Sequence, residues 1–171
     1  MSHLGRTVGA GGDGSVAGVL LPCYDKCNAI LACDLSELHE GDSDRYWRRM
    51  KSVAIIGASK DRSKYGNKAV RAFKQQGFKV YPINPKETEI EGLLVFKRIG
   101  DVPERPDMVS VYVPPAILKT LLPEIAAKGC DELWLNPGTE SDEVLAEAER
   151  LGLNVIQACS IVGVGVSPSR L

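Results

Sequence analysis

The sequence lacks a long apolar run and an excess of either charge. No segment approaches the roughly 18 apolar residues that a membrane-spanning helix needs, so no membrane association is predicted. With 21 Lys and Arg against 22 Asp and Glu, the formal net charge is -1, which argues against a general nucleic-acid binder. The 44% of hydrophobic residues instead predict a soluble globular chain of about one domain.

Histidine is scarce as well. The chain has only His3 and His39, and both precede residue 50. General acid–base catalysis near neutral pH uses histidine more often than any other side chain. Residues 50–171 also contain no G-x-S-x-G sequence, the turn that presents a nucleophilic serine in many hydrolases. The sequence therefore predicts no catalytic constellation in this part of the chain.

The five cysteines are unevenly spaced and odd in number. Together with the lack of a secretory leader, this indicates reduced thiols in a cytoplasmic protein. Cys23 and Cys27 have the spacing of a zinc ligand pair, but Cys33 and His39 do not complete a second pair. We therefore predict no metal site.

The character of the chain changes near Met50. Residues 5–18 contain six glycines, whose backbone entropy opposes ordering, and residues 34–49 are polar, with room for one short helix. We interpret residues 1–49 as a flexible or weakly ordered extension. Because Met50 directly precedes an apolar strand, it is a candidate natural start, and residues 1–49 need not belong to the native protein. Residues 50–171 form the predicted folded domain.

From residue 50 onward, apolar strands alternate with helical patterns. The predicted strands are 52–56, 78–83, 108–113, 132–135 and 154–158. The predicted helices are 67–76, 116–128 and one that is capped by Ser141 and ends before Gly152. Pro123 is expected to kink or split the second helix. Because such alternation forms right-handed crossovers, it predicts an α/β, Rossmann-like, doubly wound domain with a parallel five-stranded sheet.

The loop after the first strand is the first candidate ligand site, because open parallel sheets bind ligands at the carboxyl ends of their strands. It begins Gly57-Ala58-Ser59 and lacks the second glycine of G-x-G-x-x-G, so it is a weak dinucleotide signature. The helix behind it still offers unpaired N–H groups to an anion. The pattern fits either a phosphate-binding loop or an ordinary turn. Its further candidate residues are Lys60, Lys64, Tyr65 and Gly66.

The second strand ends in Asn84-Pro85-Lys86. NAD-binding domains place Asp or Glu at this position, where it bonds the ribose 2′-hydroxyl. A lysine suits a phosphorylated ribose instead, either the 2′-phosphate of NADP or the 3′-phosphate of coenzyme A. The alternative is an ordinary solvent-exposed lysine.

Positive charge is concentrated in residues 51–86. Nine basic residues against the single acid Asp61 give this segment a formal charge of +8. The basic residues are Lys51, Lys60, Arg62, Lys64, Lys68, Arg71, Lys74, Lys79 and Lys86. Since four of them follow the first two strands directly, we expect a polyanionic ligand to be attracted to these strand ends.

Prolines follow the third strand. Pro114 and Pro115, after Val113, either begin a helix or form a stiff apolar wall for a ring or an alkyl chain. The turn at residues 136–138, after the fourth strand, is expected to face the same crevice.

Four short motifs at successive strand ends resemble the CoA-binding domain family, which is similar to the N-terminal domain of the succinyl-CoA synthetase α subunit. They are G-A-S, N-P-K, Y-V-P-P and W-L-N-P-G, and they begin at Gly57, Asn84, Tyr112 and Trp134. The resemblance covers about residues 50–160. It implies a Rossmann-like fold that binds coenzyme A.

The resemblance also implies contacts. The diphosphate and adenosine would contact residues 57–60, Lys86 would meet the 3′-phosphate or the ribose, and residues 113–115 would line the adenine or pantetheine. The full set of predicted cofactor-binding residues is Gly57, Ala58, Ser59, Lys60, Lys64, Tyr65, Gly66, Asn84, Pro85, Lys86, Val113, Pro114 and Pro115.

Three functions are compatible with the sequence. The first is non-catalytic binding of coenzyme A or an acyl-CoA, and the second is an NADP-dependent oxidoreductase. The third is a partner subunit of an acyl-CoA ligase. Succinyl-CoA synthetase needs a phosphorylated histidine on a second domain, and this chain has no histidine after His39. The resemblance therefore implies binding rather than ligase chemistry.

Two features near the C-terminus have open interpretations. Cys159 is expected at the carboxyl edge of the sheet, either as an inert buried thiol or as one that forms a mixed disulfide with the thiol of coenzyme A. The apolar residues 161–166 are expected to pack on the domain or on a second copy of the chain.

Overall fold

The computed structural model describes residues 52–171. The predicted extension at residues 1–49, with Cys23, Cys27, Cys33 and His39, lies outside the described residues. The proposed boundary at Met50 also lies just outside them. The described residues all fall within the segment 50–171 for which the sequence predicts a folded domain.

A parallel five-stranded sheet forms the centre of the domain, as predicted, in the order β2-β1-β5-β6-β7. The strands are β1 Ser52–Ile56, β2 Lys79–Ile83, β3 Glu89–Ile90, β4 Leu93–Leu94, β5 Met108–Val111, β6 Glu132–Leu135 and β7 Val155–Gln157. Ile56 lies opposite both Ile83 and Val111. The carboxyl ends of β1, β2 and β5 therefore lie side by side.

Helices cover both faces of the sheet, which confirms the doubly wound architecture. They are α1 Tyr65–Gln75, α2 Pro115–Lys128, α3 Asp142–Arg150 and the single-turn α4 Ser160–Gly163, with 3-10 helices at Ile99–Asp101 and Pro168–Arg170. Helices α2 and α3 pack Leu118, Leu122 and Val144 on one face, whereas α1 packs Val70 and Phe73 on the other. Because β1 is buried on both faces, its sequence is continuously apolar after Ser52.

A short antiparallel hairpin between β2 and β5 was not predicted. Its strands β3 and β4 have two residues each, too few for a hydrophobic alternation to be recognised. Glu91 and Gly92 both have positive φ, +51° and +76°, as a tight hairpin turn requires. Beyond the hairpin, Phe96 forms a parallel bridge to Ile83, which brings the following residues to the carboxyl end of β2.

Helix α2 continues through Pro123, so of the predicted kink or split the split is wrong. A proline removes one backbone N–H from the helix and leaves the carbonyl four residues earlier without its usual donor. Pro123 and Lys119 both lie on the exposed side of α2, where that carbonyl can be hydrated.

The C-terminal residues pack on the domain itself. Ile161 and Val164 are buried against the α1 side of the sheet, whereas Val162 is 59% exposed. No helix within residues 52–171 is both long enough and apolar enough to cross a membrane.

Candidate functional site

A pocket of about 470 Å³ lies at the carboxyl ends of β1, β2 and β5. Chain order reverses between β1 and β5, and doubly wound sheets bind ligands at such a reversal. The pocket opens on the face that carries α2, which forms one wall. The lining residues are Ile56, Gly57, Ile83, Asn84, Pro85, Lys86, Lys97, Arg98, Ile99, Val113, Ile117, Leu121 and Glu124.

Two glycines make the connection from β1 to α1 tight. Gly57 has a φ of +87°, and a Cβ there would lie 2.9 Å from the carbonyl of Tyr112. Gly66 lies in the first turn of α1, where a Cβ would lie 2.2 Å from the Gly57 oxygen. Gly66 thus permits the close approach of helix and strand that the last glycine of G-x-G-x-x-G provides in dinucleotide-binding domains.

Two asparagine amides hold the β1–α1 loop (residues 57–64) in place. Asn84 Nδ2 donates to the Ala58 carbonyl at 2.7 Å, and Asn67 Nδ2 donates to the next carbonyl, that of Ser59, at 2.8 Å. Asn84 Oδ1 also accepts the backbone N–H of Lys86 at 2.8 Å. Asn84 therefore joins the end of β2 to the loop after β1 and fixes the two strand ends relative to each other.

Five of the thirteen predicted site residues line the pocket. They are Gly57, Asn84, Pro85, Lys86 and Val113. Lys86 is exposed, and no ion pair within residues 52–171 involves it. Its ammonium group is therefore available to an anion at the end of β2.

The other eight predicted residues do not line the pocket. Ala58 and Gly66 are buried, whereas Lys60, Lys64 and Tyr65 are exposed. The remaining three are Ser59, Pro114 and Pro115. The Ser59 hydroxyl accepts the N–H of Asp61 at 3.1 Å. Pro114 is the N-cap of α2, and Pro115 is its first residue. The prolines thus serve as the start of a helix, one of the two roles expected from the sequence.

Acids that follow β2 pair with cations of the β1–α1 loop. Lys60 Nζ lies 3.0 Å from Glu87 Oε2, and Arg62 Nε lies 3.3 Å from Glu91 Oε1. The charge of +8 expected for residues 51–86 is therefore partly neutralised by the segment that follows it. A sequence window ending at Lys86 excludes these acids.

Lys97 and Arg98 are pocket cations that the sequence interpretation missed. Both are exposed and line the pocket beside Lys86, although they belong to the segment after the unpredicted hairpin. Lys97 Nζ donates to the Glu87 carbonyl at 2.9 Å, and Arg98 Nη2 lies 3.4 Å from Asp101 Oδ1. Two adjacent cations between the second and third predicted strands were the available signal.

A buried polar cluster lies at the ends of β5, β6 and β7. Ser160 Oγ lies 2.7 Å from Ser110 Oγ and 2.9 Å from the Tyr112 hydroxyl, and the amide of Asn136 bonds both serines. Burial raises the pKa of Tyr112 to about 12. The cluster therefore contains only groups that are neutral near pH 7, and it fixes α4 to the sheet.

The described cysteines occupy different environments. Cys130 packs against the core on the α2 side, as predicted, and burial raises the pKa of its thiol to about 11. Cys159 is half-buried at the start of α4 and does not line the pocket.

A family model described as a CoA binding domain matches residues 51–164. The chain belongs to this family. The match covers the whole sheet and ends just after α4, so it includes every residue that lines the pocket.

Curated relatives of this CoA binding domain include ADP-forming acetate–CoA ligases. The chain is 40% identical over 85 residues to the ligase of Methanocaldococcus jannaschii, covering 50% of the chain and 12% of the ligase. It is 35% identical over 85 residues to the alpha subunit of ligase II of Pyrococcus furiosus, covering 49% of the chain and 19% of that subunit. The chain thus matches less than a fifth of the length of these two relatives.

Solved structures share the fold. A conserved hypothetical protein from Pyrococcus furiosus superposes with a TM-score of 0.61 at 33% identity, covering 66% of this chain and 97% of that one. The acetyl-coenzyme A synthetase 1 of Ca. Korarchaeum cryptofilum, in complex with phosphate and ADP, has a TM-score of 0.57 at 28% identity, covering 65% and 26%. The predicted Rossmann-like fold is confirmed.

Proposed function

We propose that the domain binds coenzyme A in the pocket at the ends of β1, β2 and β5. The observation that carries the proposal is the composition of the pocket, in which apolar walls adjoin Lys86, Lys97 and Arg98. Coenzyme A combines a flat base with a 3′-phosphate and a diphosphate on one ribose, so it needs both kinds of surface. Membership of the CoA binding domain family supports the same ligand.

The apolar walls suit the adenosine. Ile83 and Val113 come from neighbouring strand ends, and Ile117 lies in the first turn of α2. Ile117 is 50% exposed, so a ring placed against it would remove apolar surface from water.

The three cations suit the phosphates. Lysine contacts phosphate as a point charge, and arginine binds it through its fork of N–H groups. Lys86 follows β2, where dinucleotide-binding domains contact the ribose, so we assign it to the 3′-phosphate. The diphosphate then lies toward the β1–α1 loop, where Lys60 and Lys64 are exposed.

An NADP-dependent oxidoreductase is less well supported. The 2′-phosphate of NADP would also suit Lys86, but an oxidoreductase needs a group that transfers a proton. Residues 52–171 contain no histidine, and burial raises the pKa of the Tyr112 hydroxyl to about 12. Binding of coenzyme A needs no such proton-transfer group.

The curated relatives favour a second role, that of a partner subunit in an acyl-CoA ligase. They are ligases, and the chain matches less than a fifth of the length of two of them. This role predicts that the chain alone binds coenzyme A but forms no acetyl-CoA from acetate, ATP and coenzyme A. Turnover that begins only when a separate nucleotide-binding ligase subunit is added would support it, and turnover by the chain alone would contradict it.

Calorimetric titration of the full chain tests the binding proposal. The ligands are coenzyme A, its 3′-dephospho form, NADP and NAD. We expect coenzyme A to bind most tightly and to raise the melting temperature, because it binds only the native state. Lys86→Glu should weaken coenzyme A about tenfold, the effect of one charge-assisted bond, and should abolish the preference over the dephospho form.

Arg170→Glu is the matched control, because it reverses an exposed positive charge that does not line the pocket. It should leave all four affinities unchanged. The absence of any binding of coenzyme A at millimolar concentration would overturn the proposal. Tighter binding of NADP than of coenzyme A would support the oxidoreductase instead.

A further inference from the structure

Glu124 is the one acid among the residues that line the pocket. On α2 it lies on the same helix face as Ile117 and Leu121, which also line the pocket. Its Oε1 atom accepts the backbone N–H of Gly100 at 3.1 Å. Its Oε2 atom has no hydrogen-bond partner within residues 52–171.

One oxygen of the Glu124 carboxylate holds the Gly100 N–H, and the other limits which ligand groups can lie against this side of the pocket. The rest of the lining is apolar, polar without charge, or cationic, so it suits an anion with an apolar part. A carboxylate repels phosphates and loses hydration when a ligand covers it, unless the ligand donates a hydrogen bond to it. Glu124 therefore favours a ligand whose apolar part carries a hydrogen-bond donor.

We propose that Glu124 accepts a hydrogen bond from the exocyclic 6-amino group of adenine, and that it thereby selects adenine over bases with a carbonyl at that position. The inference rests on the proposed binding of coenzyme A in this pocket. Adenine presents an N–H donor at its 6-position, whereas hypoxanthine presents an oxygen acceptor there. A carboxylate only accepts, so it favours the first base and repels the second.

Gly100 orients the carboxylate before the ligand arrives. Its N–H holds Oε1, and a Cβ at this position would lie 2.9 Å from the same atom. The close approach therefore depends on glycine. With one oxygen held, the other oxygen is the acceptor left for the ligand, and less side-chain freedom is lost on binding.

The experiment compares coenzyme A with its deaminated analogue, whose base is hypoxanthine, by calorimetry on the full chain. The wild type should bind coenzyme A about tenfold more tightly than the analogue, the effect of one hydrogen bond to a charged group. In Glu124→Gln the amide oxygen can still accept the Gly100 N–H, which turns the NH₂ group toward the base. That group donates to the hypoxanthine oxygen and opposes the adenine amine, so the preference should reverse.

Each preference is a ratio measured on one protein, so partial unfolding of a variant does not alter it. Glu149→Gln is the matched control, since Glu149 is exposed on α3 and does not line the pocket. It should keep the wild-type ratio. Gly100→Ala should reduce the preference without reversing it, because it displaces the carboxylate.

The outcomes separate the two proposals. If the wild type does not bind coenzyme A, both the proposed function and this inference are wrong. If it binds coenzyme A but Glu124→Gln keeps the wild-type ratio, only the role of Glu124 is overturned. A reversed ratio supports the role, because loss of a merely structural contact would weaken both ligands equally.

Discussion

The first turn of α1 touches the end of β1 through Gly66 and Gly57, so closely that a Cβ on Gly66 would lie 2.2 Å from the Gly57 oxygen. That distance is shorter than any non-bonded carbon–oxygen contact in a folded protein. The loop between the two glycines therefore keeps its path only while position 66 lacks a side chain. This contact places the N-terminus of α1 behind the proposed diphosphate site.

We expect Gly66→Ala to destabilise the domain by about 1–3 kcal/mol, the usual cost of forcing an atom into a packed interior. Urea unfolding monitored by circular dichroism would measure the loss. Gly77→Ala is the comparison, because its φ of +78° is unfavourable for alanine while no atom lies within 4 Å of the added Cβ. It should cost only about 1 kcal/mol. Equal losses for the two variants would show that the contact with Gly57 is relaxed.

A second prediction concerns the amide that joins β2 to the β1–α1 loop. Asn84→Asp keeps the oxygen that accepts the Lys86 N–H, but it replaces the donor to the Ala58 carbonyl with a second oxygen. Two acceptors then face each other, so we expect a loss of about 1–3 kcal/mol in the free energy of unfolding. The added negative charge should also weaken coenzyme A.

Asn154→Asp is a suitable control for Asn84→Asp, because Asn154 is exposed and its Nδ2 donates to the Asp131 carbonyl away from the pocket. It should cost less stability and leave ligand affinity unchanged. Unchanged stability in Asn84→Asp would mean that the 2.7 Å bond to Ala58 contributes little to the loop.

How far the sequence predicts this molecule depends on which contacts are local. The sequence predicts strand β1 from a continuous apolar run and helix α1 from apolar residues at helical spacing, and both patterns involve only neighbouring residues. The sequence does not predict that Lys97 and Arg98 line the pocket. Their position depends on the pairing of Phe96 with Ile83, thirteen residues earlier. The same limit explains Glu87, which precedes the hairpin, and Glu91, which lies in its turn, because both acids pair with loop cations more than twenty residues earlier in the chain.

Pro123 illustrates a different limit. The sequence alone indicates that a proline weakens a helix, but not whether the affected carbonyl faces the core or the solvent. On α2 it faces the exposed side, and the buried Leu118, Leu122 and Ile125 hold the helix together on the other. Tertiary packing therefore outweighs the local preference.

The ion pair between Lys60 and Glu87 leads to a third prediction. The pair is exposed, with 57% and 27% of its side chains accessible, so it contributes at most about 1 kcal/mol to stability. Glu87→Gln should therefore leave the melting temperature nearly unchanged. Because Lys60 would then be free to meet a phosphate, affinity for coenzyme A should rise a few-fold.

The effect of Glu87→Gln should disappear as salt is raised, because screening weakens exposed charges in both proteins. Calorimetry at two ionic strengths would measure it. Glu89→Gln, on the exposed part of β3 and in no ion pair within residues 52–171, is the control. A lower affinity in Glu87→Gln would show that the acid helps to hold the loop in its binding conformation.

The last prediction concerns the buried carboxyl of Glu132, which accepts the Trp134 Nε1–H at 2.8 Å. Burial raises the pKa of this carboxyl above its ordinary value of 4.5, and the bond from Trp134 lowers it only in part. The native state therefore binds this proton more tightly than the unfolded chain does. The free energy of unfolding falls as pH rises from 4.5 through the raised pKa, and the cost of the buried charge is fully present above that raised pKa.

Glu132→Gln keeps an oxygen for the indole N–H and removes the buried charge, so it should stabilise the domain at pH 7 by roughly 1 kcal/mol. The advantage should vanish as pH falls below 4.5, where Glu132 is protonated in the wild type as well. Urea unfolding of both proteins from pH 4 to pH 8 would measure the difference between their free energies of unfolding. The contributions of the other acids are the same in both proteins and cancel in this difference. Glu149→Gln should show no such pH-dependent gain. A variant that is less stable than the wild type at pH 7 would mean that the charged carboxylate strengthens the bond to Trp134 by more than its burial costs.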